Sequence, residues 1–233
     1  MPPAAESQAC LIVFAKAPIL GSVKTRMQPD LAIEDSLNLH GLLVRLWIER
    51  LRDWDLGSVH KSIFFSPFGR EQLGVLDLPP GIDVQTQRGR DLGERLSQGL
   101  RQKWNEGFRR VVFIGTDSPL LDFRDLQTAF LELNRNPVVI GPATDGGYYL
   151  IGFSRHLPDL FSGISWGTPL VFGETVQQLE RRSIRWHRLR EILDLDTYED
   201  LVRFRQSLSQ DTSALSGPTG RALRSFVERL ADS

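Results

Sequence analysis

Cys10-Leu-Ile-Val-Phe-Ala15 is an unbroken apolar run, and the charged loop Lys16-Ala-Pro-Ile-Leu-Gly-Ser-Val-Lys-Thr-Arg26 follows it directly. A short run without polar alternation reads as a strand covered on both faces, the kind from which parallel sheets are built. In open α/β sheets the C-terminal end of such a strand is where ligands bind. There Gly21 permits close backbone approach, and Lys16, Lys24 and Arg26 carry positive charge with only neutral residues between them. Point-like ammonium groups and a planar guanidinium fork suit phosphate recognition, whereas the bland alternative is a solvated basic loop. It is not a Walker A loop, because Val23 stands where that motif needs glycine before Lys24-Thr25.

Outward from this point the chain alternates apolar runs with helix-period stretches, the pattern of βαβ units. Strands are expected at 62–66, 82–86, 110–114, 137–141 and 148–153, with a late one at 185–189. Helices are expected at 35–53, 91–104, 123–133 and 197–208, and Thr168-Pro169 is expected to open another through a Thr cap and Pro at the first turn. The Asp145-Gly-Gly turn between two apolar runs predicts an antiparallel ribbon that interrupts the alternation. Residues 1–9 are expected to be extended or disordered, 10–206 to form one domain, and 207–233 to hold a linker and a terminal amphipathic helix packed on it.

The 233 residues carry 28 Lys plus Arg against 29 Asp plus Glu. That balance argues against a general nucleic-acid surface, which needs a basic excess. One cysteine, Cys10, excludes an internal disulfide and a cysteine-based zinc site. The four histidines are scattered, and no apolar run approaches the ~20 residues that span a membrane. These features predict a cytoplasmic protein.

Asp117 ends the apolar run Val111-Val-Phe-Ile-Gly-Thr. A carboxylate there needs a cation, and a divalent hard metal shared with a diphosphate would supply one; capping the next helix is the alternative. Tyr148 and Tyr149 follow the glycine turn on opposite faces of a strand, so only one of them can line a cleft. Asp91 with Glu94 reads as a capping-box variant, and Thr197 or Asp196 as the cap of the helix that follows. Trp166 fits a core position as readily as a stacking platform.

Several strings together resemble one family. Phe14-Ala-Lys-Ala-Pro-x-x-Gly-x-Val-Lys-Thr-Arg26, Gly115-Thr-Asp-Ser-Pro-Leu-Leu121 and Gly141-Pro-Ala-Thr-Asp-Gly-Gly-Tyr-Tyr-Leu-Ile-Gly152 are similar to the signatures of DUF2064, the cofC-like glycosyltransferases. Gln87 to Arg95, Trp166-Gly-Thr168 and Asp194-Leu-Asp-Thr-Tyr-Glu-Asp-Leu201 extend the resemblance over about residues 10–202, with Tyr198 where proline is usual. It implies a GT-A-like three-layer α/β/α fold with a mainly parallel central sheet and an antiparallel ribbon, of the nucleotide-diphospho-sugar transferase superfamily. It further implies a transferase using Mg²⁺ or Mn²⁺, a nucleotide sugar and an unidentified small-molecule acceptor, and it leaves room for a homodimer. Nucleotidyl transfer from a nucleoside triphosphate to a phosphorylated acceptor is the second reading, and a non-catalytic nucleotide-binding module the third. By the same resemblance Lys16, Gly21, Lys24, Thr25, Arg26 and Arg88 contact the nucleotide or its phosphates. Asp117 and Asp196 bind metal, Asp145 with Asp117 is catalytic, and Gly146, Gly147, Tyr148 and Trp166 line the donor and acceptor pocket.

Overall fold

Strand β1 (Ala9–Lys16) runs parallel to β2 (His60–Ser66) on one side and to β4 (Arg110–Gly115) on the other. The computed structural model describes residues 8–66, 76, 78–155, 157, 160–208 and 213–230. Among these, β3 (Asp83–Thr86), β5 (Val138–Pro142), β6 (Tyr148–Phe153) and β7 (Trp186–Arg188) complete a sheet of order β3-β2-β1-β4-β6-β5-β7. Only β6 is reversed. It lies antiparallel between β4 and β5, pairing Ile114 with Leu150 and Ile140 with Ile151, so the expected ribbon is built into the sheet rather than attached to it.

The apolar run of β1 is explained by cover on both faces. Leu11, Val13 and Ala15 pack with Val44, Trp47 and Leu51 of α1 (Ile33–Asp53) and with Leu126 and Ala129 of α3 (Phe123–Glu132). Cys10 and Ile12 face the other way, toward Leu96 and Leu100 of α2 (Leu92–Asn105) and Leu179 of α4 (Val171–Arg181). The result is the α/β/α three-layer arrangement with a mainly parallel sheet that the sequence implies.

A third apolar cluster lies on the far side of α1. Leu39, Leu43 and Leu46 meet Leu201 and Phe204 of α5 (Tyr198–Ser207) and Leu223, Phe226 and Val227 of α6 (Pro218–Arg229). Residues 1–7 and 209–212, where most of an extended N-terminus and part of the linker are expected, lie outside the described residues, and Ala9 already belongs to β1.

One helix start differs from expectation. Helix α4 begins at Val171, with Leu170 as an N-cap that offers no side-chain bond. Thr168 Oγ1 donates to Ser165 O at 2.7 Å and accepts from Leu170 N at 3.3 Å, so the hydroxyl closes a turn instead of capping the helix. Asp117 caps no helix either: α3 opens on a reciprocal Asp122–Asp125 capping box.

Candidate active site

The loop after β1 is pinned by its apolar residues. Val23 and Met27 are buried, Met27 within the cluster of Leu39, Leu195 and Leu201, and a 3-10 turn spans Thr25–Met27. Between these anchors Lys24 takes a left-handed backbone (φ 51°), and its side chain is driven inward until only 3% of it is exposed. Its ammonium lies 2.6 Å from Asp117 Oδ1 and donates to Leu195 O. Gly21 is left-handed too (φ 73°), a conformation that favours glycine, and no other part of the chain crowds it.

Asp117 follows the C-terminal end of β4 and is bound through its backbone to the segment 189–195. Leu195 N donates to Asp117 O at 2.9 Å, and Ser118 Oγ donates to Asp194 Oδ1 at 2.6 Å. The same segment also runs beside the glycine turn, where Ile192 N donates to Pro142 O and Thr144 N to Ile192 O, each at 3.1 Å. One extended stretch therefore brings the Asp145 turn and Asp194 toward Asp117. Asp145 itself is exposed, and its Oδ1 accepts from Gly147 N at 2.8 Å, which closes the turn around Gly146.

The electrostatics follow from two acids facing one buried cation. Burial works against the Asp117 charge, but Lys24, His40 and Lys16 together outweigh it and hold the carboxyl below the usual range. For Asp194, burial and then the Asp117 charge push the carboxyl up to about 7, against Lys24 and the Ser118 hydroxyl, with Asp145 adding to the rise. Nearby His40 is buried, which lowers its pKa, and its Nε2 lies 3.0 Å from Lys16 O.

The remaining sequence-selected residues divide. Lys16, Thr25 and Arg26 are exposed around this centre, and Arg26 forms an ion pair with Asp196. The carboxylate set beside Asp117 is thus that of Asp194, while Asp196 faces the basic loop. The Thr197–Asp200 capping box turns the chain directly after Asp196 into α5. Arg88 is exposed on the wall of a cleft of about 500 Å³, with Thr86, Gln98 and Arg101. Neighbouring Gln87 donates through Nε2 to Ala15 O and Phe64 O, tying that loop to the ends of β1 and β2. Of the two tyrosines, Tyr149 is buried and donates to Arg190 O at 3.1 Å, whereas Tyr148 meets Trp166 edge to face with ring centres 6.4 Å apart. Trp166 lines a second cleft, of about 580 Å³, with Arg90, Asp91, Ser97, Arg101 and Phe161. Asp91 caps α2 by accepting from Glu94 N at 2.8 Å, while Glu94 accepts from Arg90 N and not from the cap residue.

Sequence reasoning passed over two residues behind the acid, Arg50 and Arg190. Arg190 makes paired 2.7 Å bonds to Asp125 and donates to Leu120 O. Arg50 donates to Pro119 O. The signal for Arg50 was its place three residues after Trp47 and four before Trp54, which stands just past the end of the helix.

The DUF2064 family model, described as an uncharacterized protein conserved in bacteria, matches residues 53–168, which hold Asp117, the glycine turn and Trp166. The crystal structure of a candidate nucleotide-diphospho-sugar transferase from Desulfovibrio desulfuricans G20 is 30% identical, with a TM-score of 0.84 over 96% of this chain and 98% of that one. CMP:2-keto-3-deoxy-manno-octonic acid synthetase, solved with CTP, shares the fold at 14% identity and a TM-score of 0.54, over 88% of this chain and 99% of its own. So does 4-diphosphocytidyl-2C-methyl-D-erythritol synthase from Anaerococcus prevotii DSM 20548, at 10% identity and 0.54, over 87% and 97%. No curated protein matches by sequence. With its sheet, its acid after β4 and a relative that it matches from end to end, the chain belongs to the DUF2064 family, on the fold of the nucleotide-diphospho-sugar transferases.

Proposed function

We propose that the protein is a metal-dependent glycosyltransferase that takes a nucleoside diphosphate sugar as donor and a small molecule as acceptor. The observation that carries this is the Lys24–Asp117–Asp194 cluster at the C-terminal ends of β1 and β4. The name of the 30% identical relative supports the choice of sugar transfer.

The donor set fits a divalent hard cation. Two neighbouring carboxylates face one ammonium, and burial with the Asp117 charge beside it raises Asp194, an environment that a further cation would relieve. Among the described residues no group of three His, Cys, Asp or Glu side chains could hold a metal alone. Mg²⁺ and Mn²⁺ do not need such a group, since one or two carboxylates suffice when diphosphate oxygens complete the shell. Asp117 and Asp194 would hold the ion, with Asp196 available if Arg26 turns to phosphate. The metal would neutralise charge on the leaving diphosphate.

The chain's own residues supply the rest. Lys16 and Arg26 bind phosphate from the loop, with Thr25 and the Gly21 backbone beside them, and Arg88 reaches the nucleotide from the α2 side. Fixed cations aimed at developing charge lower the barrier electrostatically. Asp145, held by Gly147 N, orients an acceptor hydroxyl or takes its proton, while Gly146, Tyr148 and Trp166 shape the donor and acceptor side.

Incubating the protein with Mn²⁺ and a panel of sugar nucleotides and nucleoside triphosphates tests the reading. Slow diphosphate release from one sugar nucleotide is expected. Pyrophosphate release from a triphosphate would replace sugar transfer by nucleotidyl transfer, and binding without turnover under any acceptor would leave a nucleotide-binding module. Asp117→Asn is expected to abolish metal-dependent nucleotide binding with the fold intact; unchanged affinity removes Asp117 from the metal site.

A further inference from the structure

Arg50 lies on α1 with 4% of its surface exposed, its guanidinium 4.7 Å from the Trp47 ring centre and 5.1 Å from that of Trp54. One nitrogen, Nη2, donates to two carbonyls from distant parts of the chain: Pro119 O at 2.5 Å and Ala214 O at 3.0 Å. Nε and Nη1 have no hydrogen-bond partner among the described residues. Burial lowers the pKa of Arg50 to about 9, against the charges of Asp122, Glu49 and Asp125, so the group is still a cation at neutral pH.

For stability alone this arrangement is a poor one. A buried guanidinium with idle donors costs more than a methionine or leucine of similar volume between the same tryptophans. What an apolar side chain would not do is bridge the two carbonyls. Pro119 has no N–H, so the turn just after Asp117 can be gripped there only by its carbonyl. The next carbonyl, Leu120 O, is held from the other side by Arg190 Nη2 at 3.0 Å, and Leu121 N closes the turn on Ser118 O at 3.2 Å. Beside Arg50, Glu49 Oε2 accepts from Thr219 N at 2.9 Å at the start of α6. Two adjacent α1 residues therefore hold the C-terminal segment, and one of them also holds the turn that aims Asp117.

We propose that Arg50 is a positioning residue: it sets the Asp117 turn and couples it to the C-terminal segment at Ala214. The inference rests on the role given to Asp117 above, and its main readout is independent of that role. Amide hydrogen exchange of segments 117–121 and 213–221, with Mn²⁺ affinity in parallel, is compared between wild type and Arg50→Lys, which keeps the charge but shortens the reach. Loss of a charge-assisted hydrogen bond predicts exchange about tenfold faster in both segments, with α1 and the sheet unchanged. Mn²⁺ affinity is expected to fall by a similar factor. A folded Arg50→Lys protein with unaltered exchange at 117–121 overturns the proposal, as does acceleration confined to 213–221. If the turn loosens but wild type binds no Mn²⁺, the positioning role stands and the metal reading fails. Should Arg50→Lys not fold, Leu223→Ala loosens α6 from α1 without touching the arginine; loosening of 213–221 that leaves 117–121 protected then overturns the coupling.

Discussion

Gly93 has no side chain because the Trp166 indole occupies that space: a Cβ built at Gly93 would stand 2.6 Å from Trp166 Nε1. Two sequence strings that are far apart, Gln87 to Arg95 and Trp166 to Thr168, are thereby one packed wall of the 580 Å³ cleft. Gly93→Val should expel the indole, at about 1–3 kcal/mol for overpacking. The expected result is a red-shifted, more quenchable tryptophan fluorescence and a lower urea midpoint; unchanged emission would show that the helix start shifts instead.

Lys24→Met leaves Asp117 and Asp194 facing each other without their cation. Because about a third of the Asp117 side chain is exposed, the loss should be about 2 kcal/mol, below the cost of breaking a fully buried pair. Equilibrium urea unfolding measures it, and an unchanged midpoint would mean that water already screens the acids.

A second buried lysine predicts acid sensitivity. Asp83 is held well below the usual carboxylate range by His60, 3.8 Å away, and by Lys103 at 2.6 Å and Gln85, against the effect of burial. Asp83 binds its proton less tightly folded than unfolded, so this stability is present above the unfolded value near 4 and is lost as pH falls below it. The urea midpoint of wild type should drop across that window, and Asp83→Asn should flatten the drop. Equal slopes in the two proteins would place the acid limb elsewhere.

Gly146 has φ 87°, and a Cβ there would lie 2.2 Å from Pro169 O. Gly146→Ala should cost about 2 kcal/mol in backbone strain alone. Exchange at 143–147, where Asp145 is held, should rise above that of β5 and β6; a protected turn would contradict the close packing described here.

The parts of the fold that were legible in the sequence are those set locally. β1 is apolar over 10–15 and β4 over 111–114 because both faces are covered there, and the Asp145-Gly-Gly turn announces the ribbon. Where the sequence misled, a competing contact decided the outcome. Thr168 reads as a cap, but its hydroxyl bonds Ser165 and the helix waits until Val171. In the candidate site, the loop lysines and Asp117 stood out by type and place. Which acid of Asp194-Leu-Asp196 stands beside Asp117 depends on Ser118 and Arg26, contacts that no local pattern encodes. Arg50 escaped notice because its hydrogen-bond partners are backbone carbonyls, which leave no mark on the sequence; only the flanking Trp47 and Trp54 pointed to it.

The bond from Leu195 N to Asp117 O, together with the Lys24 contact to Leu195 O, has a consequence for biosynthesis. A chain emerging from the ribosome can pair β1 with β4 long before residue 195 is made. Until then Lys24 and Asp117 lack the strip of backbone that fixes them. The candidate site is thus completed only after residue 195 has left the ribosome.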